Sequence, residues 1–370
     1  AAKGLTVVGL ALPGHEASIR QGLKILERAC DRQILPDGGH VSRNPQTQAT
    51  ILRDLVDVRS ALLAAEYEIP AFLLGAIDRA APFLRMLRHN DGRLALFNGS
   101  CESEDWQIDM LLAQADARGR APSSAPHTGF ERIVANRTVA ILDTGTPPQA
   151  GLDIHAHAGT LSLEVSIGKE RLITNCGARP GNRDPWATVQ RSSAAHSTMV
   201  VDDTNSSEIL ADGTFGRRPQ NVGVERSEDN GNIWVSASHN GYVPAYGLEH
   251  ERRVYMAVDG DDIRGEDVLN RAGSAGTARP ARGFALRFHL HPTVQASLVQ
   301  NGSAVLLRLP NGIGWRLIAE GGTVSLAESI YLGETEDVRR SEQIVVSGAL
   351  EAGTSAARVK WALKRVPKKI

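Results

Sequence analysis

The sequence has few cysteines. Cys30, Cys101 and Cys176 are far apart and odd in number, which supports neither a disulfide framework nor a zinc ribbon. It has no surplus of charge either. The 41 basic and 42 acidic residues leave a net charge of -1, so there is no electrostatic reason to expect a nucleic-acid partner. No apolar run approaches the roughly 18 residues that span a bilayer. The chain does not open on methionine and shows no signal-peptide pattern. It begins on an apolar stretch, Gly4-Leu5-Thr6-Val7-Val8-Gly9-Leu10, and reads as a chain entered midway with an upstream part ahead of it. A leader therefore gives no guide to localisation. No internal repeat is visible.

The 370 residues are 42% hydrophobic, enough for more than one core. In the first third the apolar period is helical. Ile19, Leu23, Leu26 and Cys30 predict a helix over Ala17 to Ile34, and Ile51, Leu55, Val58 and Leu62 a second from about Thr47 to Ala65. Pro70 fits the first turn of a third, and a shorter helix is expected over Asp105 to Ala115. Turn signals interrupt the helices at Pro36-Asp37-Gly38-Gly39 and Asn90-Asp91-Gly92. The pattern stops between Arg118 and Gly129, where Ala121-Pro122-Ser123-Ser124-Ala125-Pro126 reads as a linker.

Beyond it strands dominate. Leu161 to Val165 alternates, Gly168-Lys169 turns and Arg171-Leu172-Ile173 returns, which is a hairpin. Asn301-Gly302 and Asn311-Gly312 mark two more. Asp259-Gly260-Asp261-Asp262 lacks calcium-loop spacing and reads as another turn. The fold class expected is α+β multidomain: a helical domain over 1–117, a linker over 118–128, and a large antiparallel β-sandwich over 129–370.

The densest chemistry lies in Asp153-Ile154-His155-Ala156-His157-Ala158-Gly159-Thr160. Read as a strand, it puts His155 and His157 on one face, as metal ligands or as a base beside a ligand. An alternative is two histidines with satisfied hydrogen bonds. A third imidazole, His196, follows in Arg191-Ser192-Ser193-Ala194-Ala195-His196-Ser197-Thr198.

These segments, with Arg171-Leu172-Ile173-Thr174-Asn175-Cys176-Gly177 between them, resemble the C-terminal domain of heparinase II/III-like proteins. The family pattern is a His-x-His-Ala-Asp start, a hairpin, a Val-Asp-x-Gly turn and an Arg-Ser-Thr-x-Ala-His-Asn-Thr strand. A weaker likeness extends over Asp37-Gly38-Gly39-His40-Val41-Ser42-Arg43-Asn44-Pro45, Phe97-Asn98-Gly99 and His250-Glu251-Arg252-Arg253. The resemblance implies that the helices are the end of an incomplete α/α toroid, and that a uronic-acid polysaccharide is cut by β-elimination, in the cell envelope or periplasm; the cytoplasm stays open. It makes His155 the leading catalytic residue, and His157, Asn175 and His196 ligands of a structural zinc.

The sequence departs from that pattern at defined places. Asn175 stands where the family has Asp, and an amide is a poorer zinc ligand than a carboxylate. Thr47 stands where the family has a toroid tyrosine. No tyrosine lies between Asn175 and His196, where the nearest aromatic is Trp186. The proton donor is then expected from His40, Tyr242 or Tyr246, with His40 and Tyr246 as further catalytic residues. Arg43, Asn44 and Tyr242 are expected to contact substrate, Arg43 by its bidentate fork, with a helix-start salt bridge as its alternative. Arg191, His289 and His291 read as structural. The leading function is a lyase acting on an acidic polysaccharide or oligosaccharide. The second is a carbohydrate-binding or envelope-polysaccharide protein that keeps the fold without the chemistry. A hydrolase comes last, for want of a carboxylate pair with family support.

Overall fold

The structure, a computed structural model, describes residues 1–179, 186–272, 279–334, 338–350 and 356–367. Helices come first: α1 (Ala2–Ala11), α2 (Glu16–Gln33), α3 (Pro45–Ala64), α4 (Ala71–Met86) and α5 (Asp105–Ala115). α2 to α5 bury the stripe that the apolar period dictates, as with Ile19, Gly22, Leu26 and Cys30 on α2, whereas α1 buries Thr6 and Gly9. α1 and α2 approach closely because Gly22 faces Thr6, where a Cβ would sit 2.3 Å from the threonine Oγ1. α3 starts at Asn44, whose Oδ1 accepts the Thr47 N–H at 2.8 Å, with Pro45 at the first helical position. Pro70 caps α4 from outside the helix rather than sitting in its first turn. No described helix is long and apolar enough to cross a membrane.

Strands begin at β1 (Ser124–Ala125), inside the segment read as linker, because these two residues pair with the second strand. In chain order there follow β2 (Phe130–Ala135), β3 (Thr138–Asp143), β4 (Leu163–Ile167), β5 (Glu170–Thr174), β6 (Met199–Val201), β7 (Val222–Asp229), β8 (Asn232–His239), β9 (Leu248–Met256), β10 (Asp262–Arg271), β11 (Gly283–Leu290), β12 (Gln295–Val299), β13 (Ala304–Arg308), β14 (Gly314–Glu320), β15 (Thr323–Tyr331), β16 (Arg339–Ala349) and β17 (Ala356–Arg365). They form two antiparallel sheets. The first runs β1-β2-β3-β4-β5-β11-β16-β15, with β6 paired to β11, and the second β12-β13-β14-β17-β10-β9-β8-β7. The hairpins expected at Gly168, Asn301-Gly302 and Asn311-Gly312 are all present. Between the sheets lies one core, including Val165, Phe288, Trp315 and Leu363, and a separate core fills the helical segment.

The helices are fastened to the first sheet by a small apolar cluster around Phe83, Phe97 and Phe130 and by a buried polar seam. His89, just past α4, bonds Ser166 Oγ and Glu164 Oε2, each at 2.8 Å. Arg171 pairs with Asp91 at 2.7 Å and donates to the Leu94 carbonyl at 3.0 Å. Tyr331 donates to Glu102. Burial alone would raise the Glu102 carboxyl, but Arg171, with His291, Tyr331 and Arg93, holds it well below the usual range. Asp37 accepts from the Thr128 N–H at 2.7 Å and the His127 N–H at 2.9 Å.

Arg43 belongs to this seam. It is buried, donates to the carbonyls of Thr128 (2.7 Å) and Gly129 (2.9 Å), and pairs with buried Asp143. The expected substrate role is corrected on this ground: its fork is already filled by the sandwich. Removing one member of such a pair leaves a charge unpaired in the interior, so Arg43→Ala should lower unfolding free energy by about 3–5 kcal/mol. Urea unfolding measures this, and a loss below 1 kcal/mol would contradict the assignment.

Histidines inside the protein are held neutral. Desolvation lowers His40 to about 4 and His289 to about 3, and lowers His89, His157, His196, His239 and His250 as well. An unfolded histidine takes its proton near 6.5, so below that pH the unfolded state binds more protons than the folded one. Stability should therefore be full above 6.5 and fall as pH drops toward about 4, with each histidine adding up to about 1.4 kcal/mol per pH unit. A urea midpoint that stays flat from pH 7 to pH 5 would show that these histidines are not buried neutral.

Candidate active site

A cleft of 630 Å³ opens where the start of α3 and the Asn98-Gly99 turn meet the long β3–β4 connection and the segment before β6. Its helical wall carries Ser42, Asn44, Gln46, Thr47, Asn98 and Gly99. Its sandwich wall carries Ile154, His155, His157, Gln190, Arg191 and Asp212, among others. Gly99 is required at the floor: it has φ +85°, and a Cβ there would stand 3.0 Å from the His155 carbonyl and 3.5 Å from His157 Nε2. Asn44 Nδ2 ties the two turns of the helical wall by donating to the Asn98 carbonyl at 2.7 Å.

The His155-x-His157 segment is not a strand. It is an irregular connection, so the alternation expected for the two histidines is replaced: His155 is exposed in the cleft and His157 is buried. The cause is Arg191, which donates from Nε to the Ala156 carbonyl at 2.8 Å and from Nη2 to the Asp153 carbonyl at 3.1 Å, while its own carbonyl accepts the Ala158 N–H. With its carbonyls and amides taken by Arg191 and Ser193, the segment has no ladder to join. Gly213 lies beside Arg191 Nη1, at the cleft wall.

His157 and His196 do converge, as their spacing implied. His196 Nδ1–H donates to the Ser192 carbonyl at 2.7 Å, leaving Nε2 to accept from His157 Nδ1–H at 3.1 Å. His157 Nε2 is then an acceptor turned to the cleft floor at Gly99. Burial, then the neighbouring His196 and Arg191, push His157 well below the ordinary histidine value, so this nitrogen keeps its lone pair at neutral pH.

The fit to zinc is poor. Among the described residues no group of three or more His, Cys, Asp or Glu could hold a metal ion. Asn175 is near in sequence to the fold's expectation but already satisfied: Oδ1 accepts the Ser197 N–H at 3.0 Å and Nδ2 donates to Glu164 at 3.2 Å. Two neutral imidazoles bonded to each other, and an amide committed elsewhere, do not make a closed four-ligand site.

Other expected residues lie away from the cleft. Tyr242 is fully buried in the sandwich core, donating to the Met199 carbonyl at 2.8 Å, and Tyr246 is buried with its hydroxyl on Thr204 and Arg279. Their glycine-flanked loop folds inward instead of into the cleft, because both rings have apolar partners between the sheets. His40 closes its turn on Ser42 Oγ at 2.8 Å and does not line the cleft. Asn44 and His155 are the expected substrate and catalytic residues that do line it. Arg191, read as structural only, has both roles open to it; the alignment of its neighbour His196 with a family strand gave no sign of the cleft.

Known proteins resemble this chain in sequence and fold. Residues 117–362 match the family model described as heparinase II/III-like, C-terminal. FtsZ-localized protein C of Caulobacter vibrioides (strain NA1000 / CB15N) is 32% identical over 384 residues, covering 98% of this chain and 64% of that protein. A solved heparinase III gene product superposes with TM-score 0.78 at 15% identity, over 99% of this chain and 58% of that one. Heparan sulfate lyase HepC from Pedobacter heparinus gives TM-score 0.76 at 14% identity, over 98% and 59%. The chain thus spans about three fifths of the length of the proteins it matches. By fold and by family model, it belongs to the heparinase II/III-like family.

Proposed function

We propose that this is a polysaccharide lyase-like protein whose cleft takes a uronic-acid-containing chain and cleaves it by β-elimination. The observation that carries the reading is the gathering, on the sandwich wall of one cleft, of an exposed imidazole, an acceptor imidazole and a guanidinium: His155, His157 and Arg191, facing Asn44 on the helical wall. In this reading Arg191 Nη1, with Asn44, offsets the uronate carboxylate, so that the C5 proton becomes acidic enough to remove. His155 takes that proton and returns it to the departing O4 as the C4–C5 double bond forms. His157 Nε2 accepts a substrate hydroxyl. The helical segment is read as the closing helices of an incomplete α/α toroid, and the cell envelope as the place of action. Zinc has no step in this scheme.

A second reading, binding of an acidic glycan without cleavage, is favoured by one observation: among the described residues, no tyrosine lines the cleft, and Thr47 stands on its helical wall.

Lyase action releases an unsaturated product that absorbs in the near ultraviolet. On a uronate polymer that the protein cleaves, His155→Ala should lower the rate by about a hundredfold to ten-thousandfold with the fold unchanged. Full activity in that variant would remove His155 from the mechanism, and binding without product from the native protein would decide for the second reading. Elemental analysis of protein purified without added metal should find far less than one zinc per chain, rising in Asn175→Asp. Stoichiometric zinc that is lost in His196→Ala would overturn the metal-free assignment.

A further inference from the structure

The outer face of the second sheet carries a groove of 990 Å³, on elements separate from the cleft. Strand register places one row of outward residues across it: Ser227 on β7, Trp234 on β8, Tyr255 on β9, Arg264 on β10, Ala362 on β17 and Ile318 on β14. At the usual spacing between strands this row is about 24 Å long. Trp234 is 39% exposed, and its ring lies 5.0 Å from that of Tyr255 at 49°. Tyr255 is fixed by its hydroxyl on Asn232 Oδ1 at 3.1 Å and by the Arg264 guanidinium 5.8 Å over its ring.

The neighbouring row runs Ser236, Arg253, Glu266, Lys360, Glu320, so that opposite charges stand beside each other on adjacent strands. Arg253 and Glu266 pair at 3.2 Å. Such a row has little net field for a polyanion. Covering it with a dry protein surface would strip water from paired charges, which costs more than the pairs return. The occupant that suits both rows has apolar C–H faces for the rings and hydroxyls for the charged groups. Those are the properties of a neutral pyranose chain.

We propose that this groove binds a neutral, β-linked glucose-type glycan, with one sugar ring stacked on Trp234 and the chain running across the strands toward Ile318. Exposed aromatics in a concave, polar-edged groove are the anchors of such sites. The site is separate from the cleft and does not depend on lyase activity.

Cellohexaose is the probe, titrated into the full chain by calorimetry, with tryptophan fluorescence as a second readout. Trp234→Ala should weaken binding by at least about tenfold, and Trp234→Phe by less. Binding of a uronate oligosaccharide should be unchanged in Trp234→Ala, and circular dichroism should match the native protein. The proposal is overturned if the native protein ignores cellohexaose, or if Trp234→Ala and Tyr255→Ala bind it as well as native does. It is equally overturned if heparin-type oligosaccharide, and not cellohexaose, competes at Trp234. Self-association that Trp234→Ala abolishes, with no glycan binding, would make the groove a protein interface instead.

Discussion

The rest of the structure depends on the buried polar seam between the helices and the first sheet. A cleft whose two walls come from different segments is useful only if the walls keep one geometry. Here that geometry is set by groups that cannot be left unpaired: Arg43 with Asp143, Arg171 with Asp91, and His89 with Glu164. Desolvation makes each of these costly to break, and so makes the alignment of the walls definite. Glu164 shows the economy of the arrangement. One carboxylate accepts from His89 and Leu96 on the helical side and from Asn175 on the sandwich side, so both walls are referred to the same residue.

The sandwich has a second buried polar system behind the cleft. Gly241 N–H donates to His239 Nδ1, His239 then donates to His250, and His250 donates to Asp267 at 2.8 Å. Arg252 bonds the same Asp267 oxygen and reaches across to the carbonyls of Leu161 (2.6 Å) and Ser197 (2.7 Å). Thus the segment that carries His196 is held from the second sheet as well as the first. Burial alone would raise the Asp267 carboxyl, but Arg252 and His250 bring it to about 2. The stretch His250-Glu251-Arg252-Arg253, which resembled the family at sequence level, thereby has a physical role: two of its side chains support the cleft from behind.

Much of this was legible in the sequence wherever the determinants are local. Apolar period placed α2, α3 and α5 to within two residues, and Asn-Gly and Gly-Lys pairs placed the hairpins. Asn44, expected at the substrate, does line the cleft, and it also caps α3, which starts two residues ahead of the expected Thr47. What was not legible is set by partners far along the chain. His155 and His157 read as a strand until Arg191, some 35 residues on, takes the carbonyls that a ladder would need. Tyr242 and Tyr246, between Gly241 and Gly247, are expected to reach the cleft, yet core packing draws them inward. Arg43 had the right chemistry for a carboxylate and found one inside the protein, Asp143, which is exactly 100 positions away.

The central claim is that the two walls enclose one glycan site. Hydrogen exchange of the protein with and without a uronate oligosaccharide tests it most directly. The account expects protection to appear together on both walls, at 42–47 and 98–99 on the helical side and at 154–157 and 187–191 on the sandwich side. Protection confined to one wall, or found only on the outer face of the second sheet, would contradict it.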